Sequence, residues 1–492
     1  MKITVWRWRV NGVATLLAGL LVVGIAGCTG SEDQSGGTST GSTQVKLNTP
    51  AEIAQTSAAN YDDNSNGLIT GNTLERWIDN WTANRPAGIT GKLVILQASN
   101  GEAGFEFIKP DNTDVFTYSV PSSEWIETRS NGVIETPSVV PSGRLVDTFL
   151  AKYDLNPVKD MIVCAQGTAG AGQAMRAGRC WYMLRYWGTN KTHLAVLNGG
   201  NAWNGSNTLL DASHFSTAGS PVTFAGSCSV TDLPENNFSL QATVEDMMSA
   251  VPAQDANLRS DGVFVWDARS TGEYSPMSAA DFRNGGSTQG HPNGALLLPY
   301  SDLLDADAGY TFKSKAQLQA YINGDVDGNG AGFVDSTLQA VGYGSAYQSG
   351  DTVYTYCETT FRAMITGMAS AIILGLPTRF YDGAMVEWHS LSNVVASDGE
   401  PILPSDSPWR TDVASFSMFM VAGDPSTVAT RTITNAYAAS ANAVIDEDMA
   451  YKGIVMNGDM GTGSVTSDTG GSSTAGSGSS AGGGLPPNPC GG

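Results

Sequence analysis

The sequence predicts an α/β protein: two similar units, each a parallel sheet flanked by helices, held between flexible N- and C-terminal tethers. Three observations predict it. Between Gly262 and Ser390 short β-rich apolar runs alternate with helical stretches, the pattern of a parallel sheet covered on both faces. A looser copy of that layout runs from Leu93 to Trp203. Ser/Gly/Thr tracts with almost nothing to bury flank both copies, at 29–44 and 461–483.

In the second copy, Val263-Phe-Val-Trp266 reads as a buried strand and Lys315–Ile322 as a helix. Val353-Tyr-Thr-Tyr356 is a second strand, and Arg362–Leu374 an almost wholly apolar helix stopped by Gly375 and Pro377. Arg379-Phe-Tyr381 is a third strand, closed by Asp382-Gly383. Ligand chemistry in such sheets belongs at the carboxyl ends of the strands, where Cys357 follows Tyr356. The remaining boundaries are a leader over 1–27, a tether over 28–45 and an N-terminal extension over 46–87. The first unit spans 88–225, the second 226–395, an extension packing on the second unit 396–460, and the tail 461–492.

The chain has 492 residues, 41% apolar and 9% aromatic, enough for a substantial core. Acids outnumber bases by 47 to 26, giving a formal charge of −21, which leaves no basic face for nucleic acid. Lys2, Arg7 and Arg9 precede an apolar stretch from Val13 to Ala26 that ends in Ile25-Ala26-Gly27-Cys28. This resembles the lipobox of bacterial lipoproteins. The resemblance implies cleavage before Cys28, lipid on its thiol, a mature charge of −24, and anchoring to a membrane without spanning it. Thr29 after the cysteine favours the outer membrane, so the expected location is the cell envelope, facing the periplasm or the surface.

Asp267-Ala268-Arg269 with Glu273-Tyr274, then Gly290-His291-Pro292, then Tyr356-Cys357, then Tyr381-Asp382-Gly383 with Glu387-Trp388, occur in order. This series resembles the rhodanese domain of sulfurtransferases over about 130 residues, and the two copies resemble a tandem arrangement with a degenerate first member. The resemblance implies that Cys357 is the catalytic nucleophile and that Glu358, Thr359, Thr360, Phe361 and Arg362 form its loop. Asp267 and Arg269 then support the loop. Successive amides in such a strand-to-helix loop form an anion-binding nest that stabilises a thiolate. The thiolate takes the outer sulfur of a small donor, thiosulfate or polysulfide. A thiol, sulfite or cyanide then removes it from the persulfide. No metal or organic cofactor is required.

Arg362 is the sixth residue of a Cys-x4-Arg loop, tighter than the seven-residue loop of cysteine phosphatases. It orients an oxyanion or caps the loop. Glu358 places an acid beside the nucleophile, opposing both thiolate and anionic donor, which puts thiosulfate in question. Cys164 matches Cys357 in the first copy but precedes a longer, Gly-rich loop, and reads as structural or spare. Cys180 and Cys228 are a candidate disulfide. Asp325, Asp327, Asn329 and Asp335 approximate a calcium loop, as does the turn starting at Asp62, although Ser336 and Thr73 stand at position twelve. The alternative function is a non-catalytic binding or assembly component of an envelope redox system, using the same fold for contacts with a protein partner.

Overall fold

The structure is a computed structural model that describes residues 46–99, 105–130, 135–200, 210, 212–253, 262–275, 290–392, 403–404, 406–412 and 442–454. The leader, Cys28, both tethers and the tail lie outside them. Among the described residues no helix is long and apolar enough to cross a membrane.

Two five-stranded parallel sheets organise the chain. The first holds β1 (Gly67–Ile69), β2 (Leu93–Ala98), β3 (Val115–Val120), β4 (Met161–Ala165) and β5 (Leu194–Leu197). The second holds β6 (Gln241–Ala242), β7 (Val263–Asp267), β8 (Leu296–Leu297), β9 (Thr352–Tyr356) and β10 (Thr378–Tyr381). Across the first sheet the order is β1-β5-β4-β2-β3, and across the second it is β6-β10-β9-β7-β8. Counted within each unit, both orders are the same, 1-5-4-2-3, so the repeat read from sequence extends to topology. Every residue of β2 and β4 is buried, as expected of central parallel strands covered on both faces.

Among the described residues eight α-helices are longer than four residues: α1 (Gly71–Asp79), α2 (Gly143–Lys152), α3 (Ala171–Tyr186), α4 (Val244–Ala253), α5 (Lys315–Ile322), α6 (Ala363–Met368), α7 (Ala384–Ser392) and α8 (Ala443–Tyr451). Short helical turns link several of them; α6 continues as a π-helical turn, Ala369–Ile373. Helices α3 and α6 follow the two cysteine-bearing strands and pack against each other at Gly178, where an added Cβ would lie 2.5 Å from the Met364 Cβ. One hydrophobic cluster therefore runs from Val94 and Ile162 of the first sheet, through Trp181, Tyr182, Met364 and Met368, to Phe264 and Phe380 of the second.

Two boundaries differ from those expected. The segment read as an N-terminal extension supplies β1, the edge strand of the first sheet, paired in parallel with β5. The C-terminal helix α8 docks chiefly on the first unit rather than the second. Asp448, enclosed beneath it, takes two hydrogen bonds from Arg129 at 2.8 and 2.9 Å and one from the Tyr186 hydroxyl at 2.7 Å. The buried carboxylate and its distant partners fix where the helix docks.

Candidate functional site

The run Thr352-Val-Tyr-Thr-Tyr356 forms the central strand β9, paired with β7 on one side and β10 on the other. Cys357 stands at its carboxyl end. The chain then turns through Glu358, Thr359, Thr360 and Phe361 before α6. Thr360 has φ 62°, a left-handed conformation that costs a β-branched residue on the order of 1–3 kcal/mol. Its hydroxyl donates to the carbonyls of Tyr381 and Asp382, at 3.1 and 2.8 Å, which holds the turn in that shape. Arg362 returns to right-handed helical angles. A left-handed residue in a strand-to-helix turn is an element from which backbone nests are built. Among the described residues the N–H groups of Thr360 and Phe361 donate to no acceptor.

The side chain of Cys357 is sealed, with 0% of the residue exposed. It packs with Ala268 and Ala363, and its carbonyl accepts the Met385 N–H of α7 at 3.0 Å. The backbone of Cys357 is thus tied to the start of α7, while its side chain packs against Ala268 after β7 and Ala363 at the head of α6.

Asp267 and Arg269 form a buried pair at 2.5 Å. The Tyr356 hydroxyl donates to Asp267 at 2.7 Å, and Arg269 donates to the carbonyl of Gly290 at 2.5 Å. Both therefore bear on the residue before Cys357 and on the Gly290-His291-Pro292 turn. His291 stacks on Tyr274 with ring centroids 3.7 Å apart.

Arg362 grips Glu273 through two hydrogen bonds, at 2.6 and 2.7 Å, and reaches Glu358 at 3.4 Å. Of the two roles open to Arg362, loop support is the one this geometry serves, with carboxylates rather than carbonyls as its partners. Burial alone would raise the Glu273 carboxyl, but the Arg362 bonds and the fields of Arg362 and Arg269 outweigh it and hold it at about 2. Glu358 is itself buried, and Thr359 is half-buried. Arg362 thus faces two carboxylates, Glu358 from the loop and Glu273 from the segment after β7.

Cys164 is disulfide-bonded to Cys180, joining the end of β4 to α3. This corrects the Cys180–Cys228 pairing, because Cys228 is a free thiol. The segments read as calcium loops are built otherwise. Asp327 accepts from the N–H groups of Asn329 and Ala331 and from the Tyr321 hydroxyl, with the Lys313 ammonium at 3.4 Å. Asp335 accepts from Thr337 and Gln339 in a separate turn. Asp62 accepts from Asn72, and the Asp62 carbonyl from Thr73. Among the described residues no three His, Cys, Asp or Glu side chains are grouped as a metal site.

Sequence reasoning placed Cys357 but missed Arg179. This residue of α3, in the first unit, donates to Asp382 at 2.6 Å, with both side chains 0% exposed. Asp382 also accepts the Val140 N–H at 2.6 Å. An arginine amid Met175, Trp181, Tyr182 and Met183 was the available signal, because such a charge is buried only against a partner.

No family model matches the chain, and no curated protein matches it. Among solved structures it is similar to EanB in complex with ergothioneine, at 12% identity over 65% of this chain and 67% of that one, TM-score 0.45. It is similar to YnjE at 16% identity over 71% and 70%, TM-score 0.42. It is also similar to the anaerobic ergothioneine biosynthesis enzyme from Chlorobium limicola bound to trimethyl histidine, at 12% over 65% and 68%, TM-score 0.44. The identification as a tandem rhodanese lipoprotein is overturned, because no family model matches the chain.

Proposed function

We propose that the chain moves sulfane sulfur as a persulfide on Cys357. The observation that carries this reading is a cysteine at the carboxyl end of a central parallel strand, opening a loop wound left-handed at Thr360 with nest amides that donate elsewhere to nothing among the described residues. In the transfer, the Cys357 thiolate attacks the outer sulfur of a donor R–S–SH. The S–S bond of the donor breaks, R–S⁻ leaves, and Cys357 holds the persulfide. A thiol, sulfite or cyanide then takes the outer sulfur and returns the thiolate. No metal or organic group enters either step. Glu273 and Glu358 against Arg362 disfavour a dianion such as thiosulfate and favour an uncharged donor. The Cys164–Cys180 disulfide supports work in an oxidising compartment outside the cytoplasm.

Complete enclosure of Cys357 favours a second reading, a binding or assembly protein in which the thiol is only core. Intact-mass measurement of the full chain after incubation with thiosulfate or an organic persulfide separates the two. The transfer reading expects one added sulfur with the organic donor, at least tenfold less with thiosulfate, removal by cyanide, and none in Cys357→Ser. A wild-type mass unchanged by both donors overturns it and leaves the binding reading.

A further inference from the structure

The Cys357 loop is held from the other unit of the molecule. The Asp382 carbonyl receives the Thr360 hydroxyl, while the Asp382 carboxylate is gripped by Arg179 and by the Val140 N–H, both from the first unit. The Arg179 guanidinium also lies 6.0 Å from the Phe361 ring, a second contact with the loop. We propose that Arg179 is the positioning residue that keeps the Cys357 loop closed, acting through Asp382 on Thr360.

Three observations favour this role over a contribution to stability alone. Arg179 Nε and Nη2 are buried and have no hydrogen-bond partner among the described residues. A guanidinium kept this way is a poor stabilising device, because apolar side chains of similar volume would serve a core at least as well. The pair also ends on the one strained residue of the loop, Thr360, rather than on a regular element. Finally, the neighbour of Arg179 in sequence is Cys180, whose disulfide to Cys164 pins α3 to the end of β4. The guanidinium is therefore presented from a backbone that is fixed on both sides: by the disulfide, and by the close approach of α6 at Gly178.

The inference rests on the sulfur-transfer reading only for what the loop is used for; the test needs no sulfur chemistry. Iodoacetamide labelling of the intact chain is followed at the Cys357 peptide by mass spectrometry, with thermal melting measured alongside. Arg179→Met alone leaves Asp382 buried without its cation and endangers folding, so the informative variant is Arg179→Met/Asp382→Asn, which removes both charges. Labelling of Cys357 is expected to accelerate at least tenfold in this variant while melting stays within a few degrees of wild type. Arg179→Lys, which keeps the charge, restores labelling to within threefold of wild type. Labelling of the double variant within twofold of wild type overturns the proposal. So does an acceleration that Lys fails to rescue or that merely tracks a lowered melting temperature. If Cys357 accepts no sulfur from any donor yet labelling follows the expected order, the functional reading fails and the positioning role stands.

Discussion

At the scale of single residues, the Glu273–Arg362 pair ties the segment after β7 to the start of α6 and so closes the Cys357 loop from below. The Glu273 carboxyl is held at about 2 in the folded chain against 4.5 without its surroundings. An acid lowered on folding contributes stability in full above its unfolded value and loses it as pH falls through the folded one. The window is therefore pH 4.5 down to about 2, and the contribution at neutral pH is about 3 kcal/mol. Urea unfolding between pH 7 and pH 2.5 is expected to show wild type losing most of this amount, while Glu273→Gln starts less stable and has a flatter profile. Parallel profiles would remove the pair from the account. Cys357 was legible in sequence because its position follows from local pattern, a β-branched and aromatic strand running into an apolar helix. Its enclosure was not, since the cover comes from Ala268 after β7 and Tyr300, both far away in sequence, as well as from Ala363. Glu273 stood in a recognisable motif, but its partner lies 89 residues away and no spacing rule joins them.

At the scale of elements, α3 and α6 show what periodicity can and cannot read. Helix α6 is apolar throughout and was legible as a buried helix. Helix α3 carries Arg176, Arg179 and Arg185, charges that a chain ordinarily leaves in solvent. Instead Arg179 and Arg185 are enclosed against Asp382 and Glu235, and thirteen residues of the helix are buried. The signal that survives is Gly178. Glycine inside a helix costs about 1 kcal/mol relative to alanine, so its presence needs a reason. The reason is the approach of α6: a methyl group at Gly178 would collide with Met364, itself fully buried. Gly178→Ala is therefore expected to destabilise by about 1–3 kcal/mol despite the better helix propensity of alanine. Chemical denaturation checks the sign, because a stabilised variant would mean that the two helices do not touch closely. The acidic loop starting at Asp325 shows a different limit of spacing. Its acidic spacing is real, but Asp327 and Asp335 turn to separate sets of turn N–H groups, and spacing alone does not say where each carboxylate points.

At the scale of the molecule, the duplicated sheets are not two independent bodies. Their cores merge through the α3–α6 contact into one cluster holding side chains from both sheets. The chain also laces the units together in places far apart in sequence. The Gln55 N–H donates to the Ala371 carbonyl, Lys315 reaches the Ser57 carbonyl, and α8 closes over Arg129 of the first unit while Asn442 beside it meets Glu245 of the second. Separating the sheets would expose Met364, Met368 and Trp181 together to water and part the Arg179–Asp382 pair. No intermediate with one sheet folded and the other unfolded is stable against that cost. Scanning calorimetry of the intact chain under non-reducing conditions should then give a single transition with a calorimetric enthalpy close to the van't Hoff value. A ratio near two, or two resolved peaks, would mean that each sheet melts alone and that the first unit exerts no hold on the Cys357 loop once heated. Reduction of Cys164–Cys180 should move that one peak down without splitting it, since the bridge restrains about sixteen residues within a single unit and is worth about 3 kcal/mol.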